Sequence, residues 1–398
     1  MRYLALTLFI SFPLCSCAGD DNIVILLSWD GMRHDFPDRG NFPALKSIEN
    51  NGIRAGRLTP VYLSNTFPGH ASIATGTTPD VHGIVDNVFL DNEKGLFAYS
   101  SAADWLLAEP LWAAAERQGI KAATYFWVGS ETDWQGQRTS YRIAPFDGSR
   151  PEADKVDKIV EWLDLPVNER PRLIMSYWKG ADTTGHLRGP NHDAIAEDIA
   201  EQDMELGRLL EAVDLRKLWP KTTLIIVSDH GMTRVTESVE FESALEAAEL
   251  DVTVTGGGAG QHIHLKKPSD EAAVLKILHM NPHLTVLQGD DIPAGMAAPN
   301  RTGDIVVVTD PPFTLSRADT LLSKAIVFFS PVLGWESGAH GFDPDLPDMG
   351  GIFFAMGLGI TAGKKINNVH QLDIAPTVAD ILGMEAPAEA KNRPISLR

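Results

Sequence analysis

Three short apolar runs, each followed closely by a carboxylate, constrain this chain more than any other feature. Ile23-Val24-Ile25-Leu26-Leu27-Ser28 runs into Asp30. Leu173-Ile174-Met175-Ser176-Tyr177-Trp178 is followed by Asp182, with His186 four residues on. Leu224-Ile225-Ile226-Val227-Ser228 ends at Asp229-His230. Runs of this length without polar alternation predict strands buried on both faces. Ile352-Phe353-Phe354-Ala355-Met356 is a fourth. Between them, Ile195, Ile199, Leu206, Leu209, Leu210 and Val213 recur at helical spacing, as do Leu372, Ile374, Val378, Ile381 and Leu382. Buried strands alternating with amphipathic helices predict an α/β fold, a mostly parallel sheet with helices on both faces.

The stretch 235–337 has a different texture. Thr253-Val254-Thr255, His262-Ile263-His264-Leu265 and Asp304-Ile305-Val306-Val307-Val308-Thr309 suggest a small inserted β-rich subdomain. Gly256-Gly257-Gly258 reads as a turn, because no strand-to-helix context makes it a phosphate loop.

The first residues lie outside this pattern. Met1-Arg2, the apolar run Tyr3 to Leu14 and the small residues Ser16 and Ala18 read as an export signal over residues 1–18. Residues 19–398 are left as the catalytic domain. Cleavage after Ala18 is one processing route; lipidation at Cys17, which would anchor the chain to a membrane, is the other. Both cysteines, Cys15 and Cys17, fall in this segment, so no disulfide framework is expected in the mature chain. The formal net charge of −19 disfavours nucleic-acid duplexes and anionic membrane surfaces as partners. An acidic chain that acts on anions needs local positive charge, which bound metal ions supply.

Ligands in open α/β sheets bind beyond the carboxyl ends of the strands. Asp30, Asp182, His186, Asp229 and His230 would converge there, and His340 follows a glycine-rich approach, Ser337-Gly338-Ala339. Mixed Asp/His donors suit zinc or a related divalent ion better than calcium or magnesium. Singly, each is as well read as a turn or surface residue; together they point to a metal centre. Asn65-Thr66-Phe67-Pro68-Gly69-His70 has the form of a helix start, with Thr66 near the N-cap. A hydroxyl there faces free backbone N–H groups and the positive end of the helix dipole, where an anion would sit. Without the acidic set beside it, Thr66 is only a cap.

These residues carry a resemblance. Ser28-Trp29-Asp30-Gly31-Met32-Arg33, Thr66-Phe67-Pro68-Gly69-His70, His82-Gly83-Ile84-Val85-Asp86-Asn87 and Phe126-Trp127-Val128-Gly129-Ser130-Glu131 occur in order. Ala181-Asp182-Thr183-Thr184-Gly185-His186, Ser228-Asp229-His230-Gly231-Met232 and Ala339-His340-Gly341-Phe342-Asp343 follow. The chain resembles the nucleotide pyrophosphatase/phosphodiesterase family of the alkaline phosphatase superfamily from about Ile23 to about Pro394. The resemblance implies an alkaline-phosphatase-like three-layer sandwich. It implies two zinc ions, one held by Asp30, Asp229, His230 and Thr66, the other by Asp182, His186 and His340. Thr66 would attack phosphorus and form a covalent intermediate, and Asn87 would donate to a phosphate oxygen; read alone, Asn87 is a turn residue after Asp86.

For substrate, the resemblance implies a base-stacking pair, Phe67 and Phe146, with Trp127 lining the same pocket; taken alone, these aromatics read as core. Many relatives carry Lys and Asn where this chain has Asn65 and Gly69. They often carry acidic residues where Lys179-Gly180 precede the Asp182 segment, and a proline where Val128 stands. Lys179 is therefore a candidate for a charged substrate group. The leading expectation is a phosphodiesterase that releases nucleoside 5′-monophosphates from a small phosphate diester or pyrophosphate. The alternatives are a phosphomonoesterase or a head-group diesterase and, outside catalysis, an exported metal-binding protein.

Overall fold

The computed structural model describes residues 21–316 and 336–398. The expected export segment with Cys15 and Cys17, and residues 317–335 of the expected insertion, lie outside the described residues.

An eight-stranded sheet forms the centre. Its strands in chain order are β1 (Ile23–Trp29), β2 (Ile53–Thr59), β3 (Ala122–Tyr125), β4 (Tyr141–Ile143), β5 (Leu173–Trp178), β6 (Thr222–Val227), β7 (Phe353–Gly357) and β8 (Ile366–His370). They lie side by side in the order β8-β2-β7-β6-β1-β5-β3-β4. All pairings are parallel except those of β7, which runs antiparallel to both neighbours. The three runs that end in carboxylates are thus adjacent and parallel, β6-β1-β5, with Trp29 level with Trp178 and Ser28 level with Val227.

Alternation along each strand sorts side chains into two cores. Val24, Leu26, Met175, Ile225 and Val227 face a layer that includes α2 (Thr66–Thr75), Leu111–Arg117 and Ile374–Leu382. Ile25, Leu27, Ile174, Leu224 and Ile226 face the opposite layer, built from α1 (Pro43–Asn51), Glu152–Leu163 and Ala194–Leu215. All seven residues of β1 are buried, which is why that run has no polar alternation. Truncating one of its isoleucines to alanine should cost about 2–5 kcal/mol.

A second, four-stranded antiparallel sheet joins Val252–Gly257, Gly260–Leu265, Ile305–Val308 and Thr285–Gln288. Ile263, Ile305 and Val307 pack on its own helices Glu242–Ala247 and Glu271–Leu278. Val306 and Val308 pack on Leu63, three residues before Thr66. Two glycines of the triplet extend the first strand of this sheet, and Gly258 lies in the turn to the second.

Candidate active site

Two glycines weld the ends of β1 and β5. Gly31 has φ +64°, and a side chain there would strike the Asp182 backbone; one on Gly180, φ +58°, would strike the Asp30 carbonyl. The Ala181 N–H donates to the Asp30 carbonyl at 2.9 Å, and the Asp30 N–H to that of Trp178 at 3.0 Å. Buried Gln202 on the helix Ala194–Leu215 clamps Gly180 from behind, accepting its N–H at 3.0 Å and donating to its carbonyl at 2.7 Å. From β6, the Asp229 carboxylate accepts the Gly31 N–H at 3.1 Å. These bonds bring three carboxylates, Asp30, Asp182 and Asp229, to one spot.

The histidines share one orientation. His230 Nδ1 lies 2.8 Å from the Gly231 carbonyl, His186 Nδ1 2.9 Å from that of Gly338, and His340 Nδ1 3.1 Å from that of Ser64. A carbonyl only accepts, so each Nδ1 carries a hydrogen, and in the neutral ring each Nε2 presents a lone pair. All three Nε2 atoms face the carboxylates: His230 at 3.2 Å from Asp229 and 3.4 Å from Asp30, His186 at 3.3 Å and His340 at 3.6 Å from Asp182. Two compact donor groups result, Asp30/Asp229/His230 and Asp182/His230/His340. His230 therefore belongs to both, while His186 sits at the edge of the second group, its Nε2 3.3 Å from Asp182 Oδ1 and its ring tilted 57° to that of His340 at 4.9 Å.

The electrostatics call for cations. Asp30 Oδ1, Asp182 Oδ1 and Asp229 Oδ2 are buried and have no hydrogen-bond donor. Burial, then the charges of Asp229 and Asp182, push the Asp30 carboxyl well above its ordinary range. Burial works to raise Asp182, but the neighbouring His186, and after it His340 and His230, outweigh burial and hold that carboxyl low. His340 is driven well below the ordinary histidine range by burial and by the neighbouring His230 and His186. Buried carboxylate oxygens facing imidazole Nε2 atoms form a donor set that fits divalent ions.

Thr66 opens α2 at the first helical position, with Asn65 as the N-cap and Pro68 two residues into the helix, one place later than a capping threonine would put it. Its Oγ1 stands 3.2 Å from His230 Nε2. Asn65 makes no side-chain cap bond. Asn87 caps the helix instead, its Oδ1 accepting the Phe67 N–H at 2.8 Å. That bond occupies the amide oxygen and leaves the Asn87 NH₂ as a donor beside Thr66. The Thr66 N–H, at the head of the helix, has no intrahelical acceptor.

The aromatic residues divide. Phe146 keeps 51% of its surface exposed and meets Phe126 and Tyr177 edge-on at 5.3 and 5.8 Å. Phe67 is largely buried, edge-on to Phe97 at 5.7 Å and to Tyr99 at 5.5 Å. Trp127 has no exposed surface and cannot line an open pocket; its Nε1–H donates to the His70 carbonyl at 3.2 Å, bracing α2 from below. The Lys179 ammonium, half exposed, lies 4.0 Å from Glu201.

A family profile described as type I phosphodiesterase / nucleotide pyrophosphatase matches residues 24–343. The chain belongs to that family. It is 30% identical to an uncharacterized pyrophosphatase/phosphodiesterase of Schizosaccharomyces pombe, over 93% of this chain and 78% of that one. It is 28% identical to the human ectonucleotide pyrophosphatase/phosphodiesterase family member 5, over 96% and 78%. A Crotalus durissus collilineatus venom phosphodiesterase matches at 28% over 93% of this chain, which spans 45% of the venom protein. Among solved structures, murine ectonucleotide pyrophosphatase/phosphodiesterase 5, in an inactive threonine-to-alanine form in complex with AMP, superposes with a TM-score of 0.82 at 25% identity. That match covers 94% of this chain and 96% of the murine one, and the fold is accordingly alkaline-phosphatase-like.

As a family member, the chain falls in the phosphodiesterase/nucleotide pyrophosphatase class of hydrolases. Three contributors to the site were not singled out by sequence reasoning. Tyr177 donates its hydroxyl to Asp30 Oδ2 at 2.8 Å, and burial and then Asp30 raise its phenol well above the ordinary range. Nothing in a β5 read as continuous core marks it. Tyr99, 62% exposed with φ +50°, stands against Phe67 at the mouth. His70 was legible: it lies four residues after Thr66, one helical turn on, and its Nδ1 reaches the Thr66 carbonyl at 2.8 Å and Asp229 at 3.4 Å.

Proposed function

We propose that this chain is an exported two-metal phosphodiesterase that releases nucleoside 5′-monophosphates from small nucleotide pyrophosphates or diesters, with Thr66 as nucleophile. The observation that carries the reading is the Thr66 hydroxyl, 3.2 Å from His230 Nε2, at the head of a helix beside two buried clusters of unpaired carboxylate and imidazole donors. One site would be held by Asp30, Asp229, His230 and Thr66, the other by Asp182, His186 and His340. Two divalent ions, zinc by family resemblance, would supply Lewis-acid polarisation of the phosphate and neutralise the carboxylates.

The chain's own groups account for the rest. Thr66 Oγ1 forms a bond to phosphorus while the bond to the leaving oxygen breaks; the hydroxyl proton departs to solvent or to the leaving group. The Asn87 NH₂ and the Thr66 N–H hold a non-bridging oxygen as charge builds on it. Water then cleaves the threonyl ester and restores the hydroxyl. Because Nδ1 of His230 is fixed on the Gly231 carbonyl, it is Nε2 that faces Thr66.

Phe146 is the candidate stacking surface, with Phe67 and Tyr99 forming the other wall. The AMP held by the murine relative supports a nucleotide as substrate, and the inactivity of its threonine variant supports the role of Thr66. Relatives named for venom and for ectonucleotide hydrolysis support export. Among the described residues no helix is long and apolar enough to cross a membrane. The monoesterase alternative relied on Lys179, whose half-exposed ammonium lies 4.0 Å from Glu201, and no observation brings it to the carboxylates. Comparing bis-p-nitrophenyl phosphate with p-nitrophenyl phosphate tests this: a diester preference and AMP release from a dinucleotide pyrophosphate are expected. A clear monoester preference would overturn it.

A further inference from the structure

Asn65 is a residue type suited to capping α2, yet its side chain does not cap it. It is 3% exposed and spans two other groups. Its Oδ1 lies 2.9 Å from His340 Nδ1, and its Nδ2 donates to Asp86 Oδ1 at 2.8 Å. Asp86 Oδ1 also accepts the backbone N–H of Asn87 at 2.6 Å. Asp86 Oδ2 has no hydrogen-bond donor and sits 3.4 Å from Nε2 of His262, a fully buried residue of the second sheet. The His262 Nδ1 is already engaged with the Thr302 carbonyl at 2.8 Å.

We infer that Asp86 is a positioning residue that sets two parts of the site at once. Because Asp86 can only accept, it fixes which way the Asn65 amide faces, so that Oδ1 meets His340 Nδ1–H and directs Nε2 toward Asp182. The same carboxylate oxygen anchors the backbone of Asn87, whose amide caps α2 and faces the phosphate. The second sheet backs this carboxylate through His262, so the metal ligand, the phosphate donor and the antiparallel sheet share one buried group. The path from His340 to Asn87 runs through the side chains of Asn65 and Asp86 in turn.

This inference rests on the proposed two-metal reading, and the test separates the two. Metal-free wild type and the variants Asn65→Ala, Asp86→Ala, Asp86→Asn and the Asn65→Ala/Asp86→Ala double would be titrated with zinc by calorimetry. Inhibition by inorganic phosphate would then be measured at saturating zinc. Asn65→Ala should weaken one of two zinc sites about tenfold or more, as loss of a ligand's outer hydrogen bond does, and leave phosphate inhibition unchanged. Asp86→Ala should weaken the same single site by no more than Asn65→Ala does, and weaken phosphate inhibition roughly fivefold through the loosened Asn87. The double variant should match Asn65→Ala for zinc, because Asp86 acts on the metal through Asn65. Asp86→Asn should restore both, since its Oδ1 still accepts both N–H groups and its NH₂ can donate to His262.

A merely structural role would lower the melting temperature of the metal-free protein and weaken both zinc sites alike; that result overturns the inference, as does additivity in the double variant. If Asp86→Ala does not fold, Asn65→Ala decides, and an unchanged pair of zinc sites overturns the inference. Wild type that takes up no zinc would instead overturn the two-metal reading itself.

Discussion

Asp229 and His230 have no exposed surface and follow directly on the end of β6, whereas Phe146 keeps about half of its surface in solvent on an irregular segment. The first region is over-determined. Strand register, two glycines in the left-handed region and backbone carbonyls behind each histidine leave the donors little freedom. The second is a rim of edge-on aromatics, Phe67 against Tyr99 and Phe146 against Tyr177, with Tyr99 and Phe146 largely exposed. The contrast teaches that the chemistry is held by the sheet and the choice of substrate by loops. The floor should tolerate almost no change, and the rim should tune.

Thr66→Ala should produce the largest effect, a loss of turnover of roughly 10³-fold or more with the fold intact, because the hydroxyl points into the site rather than into the core. Steady-state kinetics on a diester, with melting curves as control, check it. Asn87→Ala should lower kcat about 10²–10³-fold as an oxyanion donor is lost. It should also cost about 1 kcal/mol of stability, because Asn87 caps α2 in place of Asn65. On the rim, Phe146→Ala should raise KM for a nucleotide about 5–100-fold, the worth of one stacked base, and leave kcat on bis-p-nitrophenyl phosphate nearly unchanged. If kcat fell with KM unchanged, the division between floor and rim would fail.

The smallest effect concerns the metal-free protein. The Asp30 carboxyl is raised in the fold above its ordinary value of 3.8. The folded state then binds more protons than the unfolded one, so this group's contribution to stability falls as pH climbs from the unfolded value through the folded one. Melting curves of chelator-treated protein from about pH 5 to 8 should therefore decline less steeply in Asp30→Asn than in wild type. Equal slopes would contradict the cause assigned to Asp30.

The floor was legible because parallel strands carry their signal locally: an apolar run, a carboxylate at its end and a histidine beside or four residues beyond it. Topology then made β6, β1 and β5 neighbours, which no single run could announce. His186 was placed by the resemblance in the second metal group; its Nε2 lies 3.3 Å from Asp182 Oδ1, the same oxygen that His340 Nε2 meets at 3.6 Å, although the most compact set there is Asp182, His230 and His340. The rim was less legible. Trp127 reads identically in sequence whether it lines a pocket or braces a helix, and only its burial beneath His70 decides. Lys179 could have faced the carboxylates or the surface; its half-exposed ammonium lies nearest Glu201, at 4.0 Å. Tyr177 was hidden because strand alternation is silent when both faces are buried.

The most direct test of the central claim follows the stereochemistry at phosphorus. A chiral phosphorothioate diester hydrolysed in isotopically labelled water undergoes two in-line displacements if Thr66 is the nucleophile, and one if water attacks directly. Net retention of configuration is the predicted result. Net inversion would contradict the threonyl intermediate, whatever metals the site holds.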